Sequence, residues 1–183
     1  MAGSTYPFTD GSIITAAGQN QSTSVVNEIY TGSGFNSSKS AGSAGTSTAS
    51  HELTAISSAD LYDCNYIRIK ILHKDVSYPY NEDSSASTQI KIESKEIAGS
   101  YADTMAVQTT LSFANNGSFN SGQSVHVLTT SEWIHELTTG EKSNGVQFKI
   151  TSNSITVGAT VSNTSASVTN VQTVLERIHG DNS

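Results

Sequence analysis

Apolar and polar residues alternate along much of this chain, most sharply between Tyr66 and His73. There Ile67, Ile69 and Ile71 interleave with Tyr66, Arg68 and Lys70. A repeat of two gives one apolar and one charged face, the signature of a half-buried strand. β-branched isoleucines suit such a pleated surface. The stretch is predicted to lie near the middle of an antiparallel sheet. The same alternation recurs at 88–94, with Ile90 and Ile92 inward, and at 107–113, with Val107, Leu111 and Phe113 on one face. It returns at 124–128, at 146–151 through Val146, Phe148 and Ile150, and at 155–161 through Ile155, Val157, Ala159 and Val161. Residues 25–30 predict a further short strand. Glu132 to Leu137 reads as a short strand or a helical turn.

Between these runs stand residues that turn a chain: Asn115-Asn116-Gly117-Ser118, Asn144-Gly145 and Ser152-Asn153-Ser154. Asn and Gly tolerate the positive φ of tight turns. Short connections favour antiparallel neighbours, so 88–94 is expected to pair with 66–73. Glu93 would then share an outer face with Arg68 or Lys70. Short strands at this spacing predict an all-β, antiparallel sandwich or barrel, jelly-roll-like arrangements included. The C-terminal stretch reads two ways. Val171, Val174, Leu175 and Ile178 have helical spacing with Gly180 as a stop, whereas the Val, Thr and Asn content favours a terminal strand. Residues 1–23 read as a flexible N-terminal arm and residues 24–183 as one β domain. Within that domain the Gly/Ser-rich stretch 34–50 reads as a flexible loop.

Composition narrows the class. Of 183 residues, 14% are charged and 35% hydrophobic, and the formal net charge is -7. Ser, Thr, Asn and Gly fill the gap, so the chain is polar without being a polyelectrolyte. Nine Lys and Arg against sixteen Asp and Glu argue against a nucleic-acid partner, which needs clustered cations. No run approaches the length of a membrane-spanning helix. The start, Met1 to Pro7, lacks the basic and apolar regions of a secretory signal, so synthesis in a cytosol is expected. One cysteine, Cys64, excludes an internal disulfide framework and is expected to behave as a small buried hydrophobe.

The search for chemistry returns little. His51-Glu52 and His135-Glu136 each lack the second His of a zincin helix. His73 and Asp75 share one strand face, but two ligands do not make a metal site. Asn81-Glu82-Asp83-Ser84 lacks the alternating spacing of a calcium loop. Neither a G-x-S-x-G elbow nor a phosphate-binding glycine motif occurs. No catalytic residue, metal or cofactor is therefore expected. Aromatics remain: Tyr78, Tyr80 and Trp133 fall in or beside predicted loops, where such rings serve interfaces or stack on sugars. Trp133 filling the core is the competing expectation. Phe8, Ile13, Ile14 and Phe35 are the apolar anchors that the arm and the loop offer to a neighbouring subunit.

These features together resemble the structural proteins of virions, namely capsid, decoration or tail components of tailed or related viruses. The resemblance is one of profile: the Ser/Thr/Asn/Gly-rich β pattern, the single Cys, the mobile segment at 34–50 and the empty motif search. It implies a non-enzymatic subunit, located in a virion, that assembles with copies of itself and with other virion proteins into a symmetric oligomer or lattice. The rival reading is a carbohydrate-binding, receptor-recognition β-sandwich module that meets surface glycans through Trp133 or Tyr78 and Tyr80. Sheet edges recruit further strands unless blocked, and this chain has only two prolines to block them.

Overall fold

The computed structural model describes residues 27–32, 35–40, 44–61, 64–80, 83–102, 105–115, 123–158 and 163–178. The arm at 1–23, with Phe8, Ile13 and Ile14, lies outside them, as do Asn81, Glu82 and the Asn116-Gly117 turn. Nine strands are described: β1 (Asn27–Gly32), β2 (Ser37–Lys39), β3 (Gly45–Glu52), β4 (Tyr66–Tyr78), β5 (Ser85–Glu96), β6 (Gln108–Ala114), β7 (Val125–Glu136), β8 (Val146–Val157) and β9 (Ser165–Ile178). A 3-10 turn spans Ser58–Leu61, and one short helix, α1, spans Thr139–Asn144.

The strands form two antiparallel sheets packed as an open sandwich. In the first the order is β1-β9-β4-β7, with β2 also paired to β9. In the second it is β3-β8-β5-β6. The predicted all-β sandwich is thus observed, and the sheets do not close into a barrel. β4 is central, between β9 and β7, as its alternation implied.

Several expectations need correction. β5 does not pair with β4. The connection after Tyr78 crosses to the other sheet, where β5 pairs with β6 and β8. Two inward apolar faces, one carrying Ile67, Ile69 and Ile71 and the other Ile90 and Ile92, gain more by stacking than by lying side by side. Glu93 accordingly meets Lys149 at 2.8 Å and Lys91 at 3.5 Å. Arg68 and Lys70 meet Glu176, and Arg68 also meets Glu132. The segment expected at 146–151 and the start of the one expected at 155–161 are one strand, because Ser152-Asn153-Ser154 continues β8 through the sheet to Val157; residues 159–161 lie outside the described residues. The C-terminal stretch is strand β9, as its β-favouring residues implied. A register shift opposite Leu72 and His73 leaves Val171 and Gln172 both exposed, which breaks the period of two and imitates helical spacing. β2 and part of β3 lie within the stretch read as a loop. Residues 132–136 are the end of the long strand β7.

The interior changes character along the strands. At the Tyr66 end it is apolar, built from Ile67, Ile69, Ile92, Trp133, Leu137, Val146, Phe148 and Leu175. Toward the Tyr78 end it turns small and polar, with Asp75, Ser77, Ser84, Thr88, Ser154, Thr156 and Thr164 all buried. Hydrogen bonds span the two sheets there. Ser77 Oγ donates to the Ala86 carbonyl at 2.8 Å, and Ser37 and Ser154 hydroxyls meet at 2.8 Å. Buried hydroxyls need such partners, because an unpaired one costs free energy.

Candidate functional site

Two buried clusters carry ionisable groups. The first sits on the inner face of the first sheet. His73 and Asp75 are two apart on β4 and so point the same way, and both are fully buried. The His73 Nδ1 lies 3.0 Å from Asp75 Oδ2, and His73 Nε2 lies 2.9 Å from Ser131 Oγ on β7. The order Ser131, His73, Asp75 is that of a nucleophile, a base and an orienting carboxylate. Its chemistry is limited by position. The three groups are packed between sheets, on regular strand positions, with Ser131 paired across from Ile71. No strained elbow presents the hydroxyl to solvent. The arrangement joins strands β4 and β7 in the polar half of the interior.

The second cluster ties α1 to both sheets. Thr138 caps the helix: its Oγ1 accepts from the Glu141 N–H at 3.1 Å, and the Glu141 carboxylate accepts from the Thr138 N–H at 2.9 Å. That reciprocal capping box stands in the sequence as Thr138-x-x-Glu141. Ser94 Oγ donates to Glu141 Oε1 at 3.0 Å, and His135 Nε2 lies 2.9 and 3.0 Å from the two carboxylate oxygens. The His135 and Phe148 rings stand nearly perpendicular, with centroids 5.4 Å apart. Burial alone pushes the Glu141 carboxyl up, but the bonds from His135, Thr138 and Ser94 outweigh it and hold it at about 2.

The sequence-predicted residues separate. Phe35, expected as an anchor on a neighbour, is fully buried in this chain's own core. Trp133 is also a core residue, and its Nε1–H donates to the Ala106 carbonyl at 3.2 Å. Trp133 thus fills the core, as the competing expectation has it. Tyr78 and Tyr80 do come together, half-buried, with ring centroids 5.6 Å apart and planes inclined by 53°. The segment after Tyr78 is held firmly. The Tyr80 N–H donates to Thr164 Oγ1 at 3.2 Å, Asn115 Nδ2 donates to the Tyr80 carbonyl at 3.2 Å, and Thr164 donates to Ser84 at 3.0 Å. Cys64 is buried as expected: its thiol donates to the Tyr66 carbonyl at 3.0 Å, and burial pushes its pKa up.

Tyr101 lies against the outer face of the second sheet, beneath Lys149 at 4.4 Å and Lys95 at 4.7 Å. Among the described residues no three His, Cys, Asp or Glu side chains gather as a metal site, and no helix is long and apolar enough to cross a membrane.

No protein-family model and no curated protein matches the sequence. Solved structures share part of its shape. One is the T13 viral particle of infectious bursal disease virus, with 14% identity and a TM-score of 0.43, covering 88% of this chain and 33% of that one. Another is the VP2 subviral particle of the same virus, with 14% identity and a TM-score of 0.41, covering 88% and 35%. A third is the Cellvibrio japonicus xylanase Xylanase10C in complex with xylopentaose, with 8% identity and a TM-score of 0.29, covering 86% and 29%. The chain spans about a third of the length of the solved viral chains it matches. The sandwich is established by its own strand register, independently of these likenesses.

Proposed function

We propose that this chain is a non-enzymatic structural subunit of a virion, a capsid, decoration or tail component, that works by assembling with copies of itself. The observation that carries the reading is the contrast between interior and surface. The chemistry-bearing groups, His73, Asp75, Ser131, His135 and Glu141, are buried and meet one another or neighbouring interior groups. The surface instead offers apolar side chains and sheet edges. Leu128 and Ile134, 65% and 58% exposed, lie on edge strand β7, and Val171, 50% exposed, lies at the β9 bulge. Exposed apolar groups on one sheet suit contact with another protein. Residues 1–23, through Phe8, Ile13 and Ile14, add a segment that pairs with a neighbouring subunit. A polar segment gains little by ordering on its own domain, whereas along a neighbour's sheet edge it satisfies its backbone groups.

The test is solution mass by light scattering followed by electron microscopy of the purified chain. Assembly into a discrete oligomer, particle or filament is expected. Deleting residues 1–23 should leave the fold intact and weaken assembly. A chain that stays monomeric at high concentration overturns the reading.

One observation favours a second reading, a glycan-binding module: the Tyr78 and Tyr80 rings, partly exposed at the end of β4 and on the well-braced segment that follows it. Oligosaccharide titration should then change tyrosine fluorescence, and Tyr80→Ala should remove the response without lowering the melting temperature. A glycan array without binding rules this reading out.

A further inference from the structure

The four edges of the two sheets differ in how they are used. The outer edge of β9 carries β1 and β2. Along β7, Gln108 Nε2 donates to the Glu132 carbonyl at 3.3 Å. β6 carries a register shift opposite Thr88 and Gln89. β3 pairs with β8 without interruption from Gly45 to Glu52.

The register of β3 fixes which backbone groups face outward. The Leu53 N–H donates to the Phe148 carbonyl at 2.9 Å, so 53 and 148 form a hydrogen-bonded pair. Antiparallel pairs alternate, so 51, 49 and 47 also bond to β8, while 52, 50, 48 and 46 form the closer, non-bonded pairs. Side-chain contacts agree with this assignment. Thr48 Oγ1 donates to Asn153 at 2.9 Å, and Ser50 and Thr151 hydroxyls meet at 3.0 Å, across those closer pairs. The N–H and C=O of Thr46, Thr48, Ser50 and Glu52 therefore point away from β8. β2 does not fill this edge: Ser37 bonds Ser154, which places β2 over the inner side of β8.

We propose that the outward edge of β3, to which no further described strand pairs, docks the β3 strand of a second copy, antiparallel about a two-fold axis at Ala49. The inference rests on the assembly reading above. Its argument is self-complementarity. With Ala49 on the axis, Thr46 pairs with the partner's Glu52 and Thr48 with the partner's Ser50, and each pair exchanges both backbone bonds. Glu52 meets a threonine and not another carboxylate, so no like charges face each other. On the other side of the strand Ser47 meets the partner's His51, and the small Ala49 side chains meet on the axis. The segment Gly45-Thr46-Ser47-Thr48-Ala49-Ser50-His51-Glu52 holds no Pro, no Lys and no bulge, the usual devices that block an edge. The second sheets of two copies then form one continuous sheet.

Cysteine cross-linking tests both contact and register. A non-bonded antiparallel pair holds its Cα atoms about 4.5 Å apart, within disulfide range. Under mild oxidation Ala49→Cys should form a covalent dimer on a non-reducing gel, while wild type, with buried Cys64, should not. Ser47→Cys alone should stay monomeric but cross-link when mixed with His51→Cys. Thr48→Pro removes an outward N–H and leaves the β8 pairing intact. It should keep its circular dichroism spectrum and lose the dimer by light scattering. A wild type that assembles while Ala49→Cys fails to cross-link and Thr48→Pro still assembles overturns the β3 contact and leaves the assembly reading standing. A monomeric wild type overturns both. Cross-linking of Ala49→Cys to a cysteine placed at Ile14 names the arm as the occupant and overturns the two-fold pairing.

Discussion

Glu141→Gln measures how much one buried charge contributes at the junction of helix and sheets. The substitution keeps the side chain's shape and its place beside Thr138, Ser94 and His135, and removes only the charge those donors surround. The Glu141 carboxyl titrates at about 2 against an ordinary value of 4.5. Each unit of difference between folded and unfolded chain corresponds to about 1.4 kcal/mol, so the ionised carboxylate stabilises the fold by about 3 kcal/mol. The sign follows from the depressed value. The unfolded chain binds the proton more readily, so the contribution is complete above pH 4.5 and is lost as pH falls from there through about 2.

Urea unfolding of wild type and Glu141→Gln across pH 7 to 2 provides the assay. At pH 7 the variant should be less stable by about 3 kcal/mol. Below pH 4.5 the gap should narrow, because wild type loses its charge and the variant has none to lose. Acid-titrating groups remote from Glu141 move both proteins together and cancel in the difference. A gap of equal size at pH 7 and pH 2 would falsify the electrostatic account and leave a packing effect. No gap at all would show that the desolvation cost of the carboxylate offsets its bonds.

Two further substitutions check the packing. Phe35→Ala should destabilise the isolated subunit by about 3–5 kcal/mol in chemical unfolding, as truncation of a core aromatic does; unchanged stability would return Phe35 to the surface. Gly145→Ala should lower the melting temperature, because Gly145 has φ +84° and a Cβ there would stand 2.5 Å from Ile97 Cδ1 and 2.6 Å from the Ile56 carbonyl; wild-type melting would mean that the Ile56 bridge yields.

The strands that were legible in the sequence are those where one face is apolar. Ile67, Ile69 and Ile71, or Val146, Phe148 and Ile150, announce both the strand and its inward side. The signal fades where the interior is polar. Ser152 and Ser154 are buried in mid-strand but have the composition of a turn, so β8 looked like two strands. β3 was hidden for the same reason: Thr, Ser and Ala on an edge resemble a loop until a register is known. β9 was masked by its bulge, which places Val171 and Gln172 on the exposed side together. Pairing partners were the least legible feature. Nothing local in Thr88 to Glu93 says that the chain crosses sheets after Tyr78. The relation of Ser131 to His73 is likewise a product of register between β4 and β7. The link between Glu141 and the helix start was accessible through Thr138-x-x-Glu141, while its bonds to Ser94 and His135 required the fold.

The division of the interior explains why these clusters sit where they do. At the Tyr66 end, burial of isoleucine, phenylalanine and leucine supplies the hydrophobic stabilisation, at about 25 cal/mol for each Å² removed from water. At the Tyr78 end, hydroxyls replace methyls, and each must be hydrogen-bonded to avoid a penalty. Ser77 to Ala86, Ser37 to Ser154 and Thr164 to Ser84 are the contacts that meet this requirement across the two sheets. Such bonds fix one register and one sheet spacing, because a slip by one residue turns hydroxyls outward and strands apolar groups among polar ones. The apolar end thus holds the sandwich together, and the polar end specifies how its layers align. β3 runs beside β8 along both regions. Its outward edge inherits a fixed spacing of N–H and C=O groups from that aligned sheet, which is the condition a second strand needs in order to dock in a single register.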